Sequence, residues 1–259
     1  MEVHHHAHTA RKRWTHYLWE FLMLFLAVFC GFLAENQREH FVENHRAKDY
    51  AKGLINDLKD DTSELKTGLL YITFIKNCVD SLISMVNAEK RDGTVPGSFY
   101  YYSRFVSHSY PIDWNKSTIN QLILSGNLRY FKNKELVNKI NKFYTLESSI
   151  SNRDQTDLIY RDKIVELRNQ ILVGELFSGF TIKKIWVEVY AEDSSAYMDS
   201  LIEKKLPLQK GYNDKMDAYI NYLSDRSQRL GHFIEKDYPS AVSGAEQIIT
   251  LLKNEYKLR

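Results

Sequence analysis

Proline and cysteine are both scarce in this 259-residue chain. Its four prolines all lie at or after Pro96. Proline interrupts a helix interior by removing a donor and clashing with the preceding turn, so everything before Pro96 is free to form very long helices. The only cysteines are Cys30 and Cys78. Cys30 falls inside an apolar run; if that run lies in lipid, no internal disulfide forms and the redox compartment stays open. A surplus of one charge is missing too. Lys and Arg number 35 against 33 Asp and Glu, a net charge of +2, which supplies no basic field for nucleic acid. The chain has no glycine-rich phosphate loop, His-Glu-x-x-His motif, nucleophile elbow or paired-cysteine motif. No catalytic residue is therefore nominated, and a non-enzymatic role is expected.

One long apolar run is present, Tyr17 to Ala34, with Arg11, Lys12 and Arg13 before it and Glu35 after it. A bilayer core of about 30 Å needs about 20 apolar helical residues, and this run comes close. A cleaved secretory signal is disfavoured because bulky Phe residues persist to its end and Phe32-Leu33-Ala34 lacks a small residue at its first position. Lipidation of Cys30 is disfavoured by the bulky Val28-Phe29 before it. The expected organisation is a His-rich basic head over 1–13, a transmembrane helix over 14–35 and a helical-bundle domain over 36–259. A Lys/Arg count within fifteen residues of the run is a tie, but the basic cluster directly against it favours a cytoplasmic head, with the body outside the inner membrane, in the periplasm where there is one.

Glu20, Ala27, Gly31 and Ala34 fall at i, i+7, i+11 and i+14, one stripe of a helix. Ala27-x-x-x-Gly31 is a small-xxx-small pair that admits a second helix at close range, and a carboxylate near the membrane prefers to face protein. The stripe predicts a homo-oligomer, with His16 pairing to Glu20 one turn away. The alternative is that Glu20 reaches the headgroups and the small residues are incidental. His4, His5, His6 and His8 crowd the head and form a candidate site for Zn, Ni or Cu, although any flexible tail this rich in imidazole chelates metal. A metal-handling or ion-conducting oligomer using this head and Glu20 is therefore the alternative function.

The stretch WEFLMLFLAVFCGFLAENQREH, Trp19 to His40, behind that head, resembles a family of small membrane proteins from bacteria of the Bacteroidota type. The resemblance covers roughly the first 60 residues well and the rest loosely. It implies a bacterial chain with a native His-rich head. The family carries no assigned activity, so the resemblance adds no catalytic residue.

The body is expected to be all-α. Apolar residues recur at 51, 54, 58, 65, 69, 72, 75, 79, 82 and 86, a period near 3.5 that suits a bundle or coiled coil, with Asp61 the misfit. The spacing predicts one helix continuing from the anchor to about Val86. Gly53, Gly68 and a capping box at Asp61-Thr62-Ser63-Glu64 leave a break there open. After a loop at 91–97, an aromatic stretch offers Tyr100, Tyr101, Tyr102 and Trp114 as a partner-binding surface or as packing for the end of the bundle. A short helix from Ser117 is expected to stop at Gly126. Asn133 is placed to cap a long helix carrying Leu136, Ile140, Phe143, Ile150, Leu158, Ile164, Leu167 and Ile171. A strand or bent helix is expected over 180–190. Another helix carries Met216, Ile220, Leu223, Leu230 and Ile234. Pro239 is expected to break the chain before a last helix. The partners implied are the lipid bilayer, further copies of the chain and a possible membrane protein complex, with no nucleic acid.

Overall fold

The computed structural model describes residues 14–88, 92–178 and 202–258. Their architecture is all-α. Helices α1 (Trp14–Ala88), α2 (Gly97–Tyr102), α3 (Ser117–Leu124), α4 (Lys134–Ile171), α5 (Gly174–Ser178), α6 (Asn213–His232) and α7 (Tyr238–Tyr256) are joined by a few irregular segments. One antiparallel pair of three-residue strands, β1 (Thr94–Pro96) and β2 (Lys205–Pro207), sets Val95 opposite Leu206. The expected strand at 180–190 lies outside the described residues. The chain divides into two compact units, Met1–Tyr50 and Ala51–Arg259.

In the first unit, α1 carries the apolar run. It is long and apolar enough to cross a membrane, and none of its most apolar 18-residue window is buried. Phe21, Phe25 and Phe29 stack along one side with ring centroids 6.3 and 5.9 Å apart. Beyond Ala34, polar side chains pair along the helix, as in Arg38 Nε donating to Glu35 Oε2 at 2.9 Å.

In the second unit, α1 buries Ala51, Leu54, Leu58, Leu65, Ile72, Ile75, Val79 and Leu82, the stripe expected from the spacing. Each fully buried Leu, Ile or Val side chain contributes about 1.5–3 kcal/mol of transfer free energy. The helix does not stop at Asp61. Thr62 Oγ1 bonds back to the carbonyl of Leu58 at 2.7 Å, as inside a continuing helix. Gly53 and Gly68 are places of close approach, and the helix runs through both. A Cβ at Gly53 would stand 2.7 Å from Thr118 Oγ1, and one at Gly68 would stand 2.8 Å from Ile112 Cδ1 and 2.9 Å from Tyr110 Cδ1.

Segment 103–116 has no regular secondary structure except a turn, and it runs back along α1. Phe105 meets Phe74, His108 meets Tyr71, Ile112 meets Gly68 and Asn115 meets Asp61. Helix α3 follows, then Gly126 at φ 66° and a 3₁₀ turn at Asn127–Tyr130. Asn133 caps α4 as expected, its side chain accepting from the backbone N–H groups of Glu135 and Leu136. Helix α4 packs on α6 and α7. Its apolar stripe departs from expectation at one position. Asp157 is buried at 3 % exposure while Leu158 is 40 % exposed. The carboxylate takes the interior place because two arginines meet it there.

Pro239 does not break the last helical segment. Between α6 and α7 the chain makes a π turn, Phe233–Asp237, in which the Tyr238 N–H bonds to the Phe233 carbonyl five residues back. Pro239 then sits in the first turn of α7, where its fixed φ suits the helix.

Candidate functional sites

The anchor stripe lies on one unbroken helix. Glu20 Oε1 is 3.0 Å from His16 Nε2, the pair expected one turn apart, and both side chains are about half exposed. A Cβ added at Gly31 meets nothing within 4 Å. Ala27, Gly31 and Ala34 are all exposed, so the groove beside them is vacant within one chain. The four histidines of the head lie outside the described residues. Among the described residues no group of three or more His, Cys, Asp and Glu is placed to hold a metal ion. His40 sits 3.6 Å from Glu43 and His45 3.7 Å from Asp49, as pairs along the helix.

The aromatic stretch packs inward over much of its length. Tyr100 is fully buried; its hydroxyl donates to the Pro207 carbonyl at 2.6 Å and accepts from the Val173 N–H at 3.0 Å. It ties α2 to β2 and to the end of α4, which removes it from any recognition surface. Tyr101 and Tyr102 are half-buried and pack edge-on at 5.5 Å. Trp114 is half-buried against the edge of Phe143 at 6.1 Å. Of the four, Tyr101, Tyr102 and Trp114 retain exposed surface.

Two polar clusters in the second unit escaped the sequence reading. The first joins α1 to the start of α3. Asp57 Oδ2 accepts the Thr118 N–H at 2.7 Å and Oδ1 accepts the Ser117 hydroxyl at 3.1 Å. Lys116, at the N-cap position of α3, supplies no side-chain cap; the cap arrives from another helix. One turn along α1, Asp61 Oδ1 accepts the Asn115 N–H at 2.7 Å, and Oδ2 has no hydrogen-bond partner. Glu147 of α4, also buried, pairs with Lys116. Burial, together with the negative charges of Glu147, Asp57 and Asp60, pushes the Asp61 carboxyl up to about 7.

The second cluster holds segment 103–109. Arg226 is 0 % exposed; Nη1 donates to the Val106 carbonyl, Nη2 donates to the His108 carbonyl, and Nη2 lies 3.4 Å from Asp157 Oδ2. Arg168 Nη1 donates to the Ser103 carbonyl at 3.2 Å, and Arg161 donates to the Ser109 hydroxyl. Burial lowers the Arg226 guanidinium to about 10, partly offset by Asp157; it stays cationic at neutral pH. Burial and the surrounding arginines hold the His108 imidazole below its ordinary value. This ring is therefore neutral at pH 7, with Nδ1 3.2 Å from the Tyr71 hydroxyl. Neither cluster contains an activated nucleophile. Burial pushes the Cys78 thiol up to about 12, which keeps it protonated and inert.

No family model, curated protein or solved structure matches the chain. The functional argument rests on the residues themselves. The two clusters left one kind of signal, noted in the sequence at Asp61 and missed at Asp157 and Arg226. Asp61, Asp157 and Arg226 are charged groups standing at positions where helical spacing calls for apolar ones.

Proposed function

We propose that this chain is a single-pass protein of a bacterial inner membrane, self-associating through Glu20, Ala27, Gly31 and Ala34. It presents its helical bundle on the far side of that membrane as a sensor or partner-docking module. The observation that carries the reading is the contrast along α1. Its apolar window is wholly exposed, whereas the same helix beyond Tyr50 buries an apolar stripe in the bundle core. An exposed apolar surface of that length needs lipid or another protein to cover it. The small residues and the half-exposed Glu20 share one stripe, as an interface between copies requires. The basic cluster 11–13 supports a cytoplasmic head, and the resemblance of Trp19–His40 supports a bacterial source. Tyr101, Tyr102 and Trp114 remain available for docking.

The test is the mass of the detergent-solubilised complex. Gly31→Leu fills the groove beside Ala27 and is expected to split the wild-type assembly into single chains. An assembly of unchanged mass refutes the interface. A monomeric wild type refutes self-association itself.

A further inference from the structure

The face of α4 carrying Arg153, Asp157 and Tyr160 meets the end of α6 and the start of the π turn. A half-enclosed cavity of about 280 Å³ lies there, lined by Arg153, Asp157, Arg229, His232 and Phe233. Its charges are not evenly matched. Asp157 is taken by Arg226 at 3.4 Å and by Arg161 at 3.6 Å. Asp237, 2 % exposed, is taken by Arg153, with Nη2 donating to Oδ1 at 2.9 Å and Nε 2.8 Å from Oδ2. His232 Nε2 also stands 3.4 Å from Asp237 Oδ1. Arg229 has no carboxylate partner among the described residues. Its guanidinium lies over the ring of Tyr160, 3.8 Å from the centroid.

Stacking on an aromatic face fixes a guanidinium in position without cancelling its charge, and leaves its edge N–H groups free. The cavity therefore offers one positioned, unneutralised fork of donors, flanked by two half-exposed cationic or titratable side chains, Arg153 and His232. Phe233 supplies an apolar wall. It is the first residue of the π turn, a rare geometry that recurs at functional sites. The volume falls just below the range for small-molecule pockets, about 300–1,000 Å³. It is larger than a single inorganic oxyanion needs and suits a ligand with a short carbon skeleton.

We propose that this pocket binds a small organic carboxylate, its carboxylate on the Arg229 guanidinium and its carbon skeleton against Phe233. Arg153 is held by Asp237 and sets the polar rim opposite. The proposal gives the sensor reading of the bundle its ligand class and rests on that part of it alone. Loss of the pocket would leave the assembly result at Gly31 standing, and the reverse.

The test is calorimetric titration of the full-length protein in detergent with benzoate, succinate or L-glutamate, against inorganic phosphate at matched ionic strength. At least one carboxylate is expected to bind saturably, about ten-fold or more tighter than phosphate, because only it uses both fork and wall. Arg229→Gln is expected to weaken that binding at least ten-fold while melting with the wild type. Phenylglyoxal labelling of the wild type, read by peptide mass, covers the case of a misfolded variant. The bound carboxylate should protect Arg229 and leave exposed Arg129 reactive. No binding, equal affinity for phosphate, undiminished binding in Arg229→Gln or an unprotected Arg229 would each overturn the proposal.

Discussion

Replacing Asp61 by Asn should stabilise the protein at neutral pH and do progressively less as the pH falls. Asp61 is 1 % exposed, and only one of its two oxygens has a partner, the Asn115 N–H. Its surroundings are mainly acidic, with Asp57 and Asp60 on α1 and Glu147 on α4; Lys116 is engaged with Glu147. The carboxyl is pushed up to about 7 from 3.8. The folded value is therefore raised above the unfolded one, and the folded state binds the proton more tightly. Stability is highest below about pH 4, where both states are protonated, and falls as the pH climbs towards 7. At 1.36 kcal/mol per unit, a rise of about three units sets a ceiling of about 4 kcal/mol lost by pH 8. Water entry and relaxation around the carboxylate lower that ceiling, and about 2–3 kcal/mol is expected between pH 4 and pH 8. Asn keeps an acceptor for the Asn115 N–H and carries no charge, so this loss should disappear in the variant. For a domain of this size, the difference amounts to roughly 4–12 °C in melting temperature at pH 8. The assay is calorimetric melting of wild type and Asp61→Asn in detergent across pH 4–8. An offset between the two that stays constant with pH would refute the reasoning, because only titration of Asp61 makes it grow.

Two further outcomes follow from the same contacts. Arg226→Met removes the donors for the Val106 and His108 carbonyls and one of the two cations beside Asp157; it should cost about 3–5 kcal/mol in denaturant titrations, since a buried charge is left poorly matched. Asp57→Ala takes the cap from α3 while leaving α1 free to stay helical; a loss of about 1–2 kcal/mol is expected, with faster amide exchange at Thr118 than at Leu58.

The length of α1 and the stripe it buries were legible because they depend on local facts: no proline before Pro96 and apolar residues at helical spacing. That Glu20, Ala27, Gly31 and Ala34 share one helix was legible for the same reason, since the unbroken helix fixes their relative placement. Gly53 and Gly68 were misleading as possible breaks because their role depends on Thr118, Tyr110 and Ile112, distant in sequence and adjacent in space. Pro239 misled because a π turn just before it hands the chain into a new first turn, where proline is accepted. Tyr100 looked available to a partner because nothing local shows that Pro207 and Val173 claim its hydroxyl.

The charged residues at interior positions have a common cause. Segment 103–118 lies against α1, α4 and α6, and for most of its length it has no helix or strand to satisfy its backbone. Buried backbone N–H and C=O groups must be paired. The packed helices supply the partners from their own inward faces: Arg168 at Ser103, Arg226 at Val106 and His108, Asp61 at Asn115, and Asp57 at Thr118. The donors are arginines where the segment presents carbonyls, and the acceptors are aspartates where it presents N–H groups. Asp157 then serves to balance the buried Arg226. Asp61 and Arg226, each interrupting an otherwise apolar helical stripe, thus mark the places where irregular chain is packed against the helix. In the sequence, Asp61 and the Leu223–Leu230 stripe interrupted by Arg226 carried that mark; what they held became visible only once the segment opposite was in place.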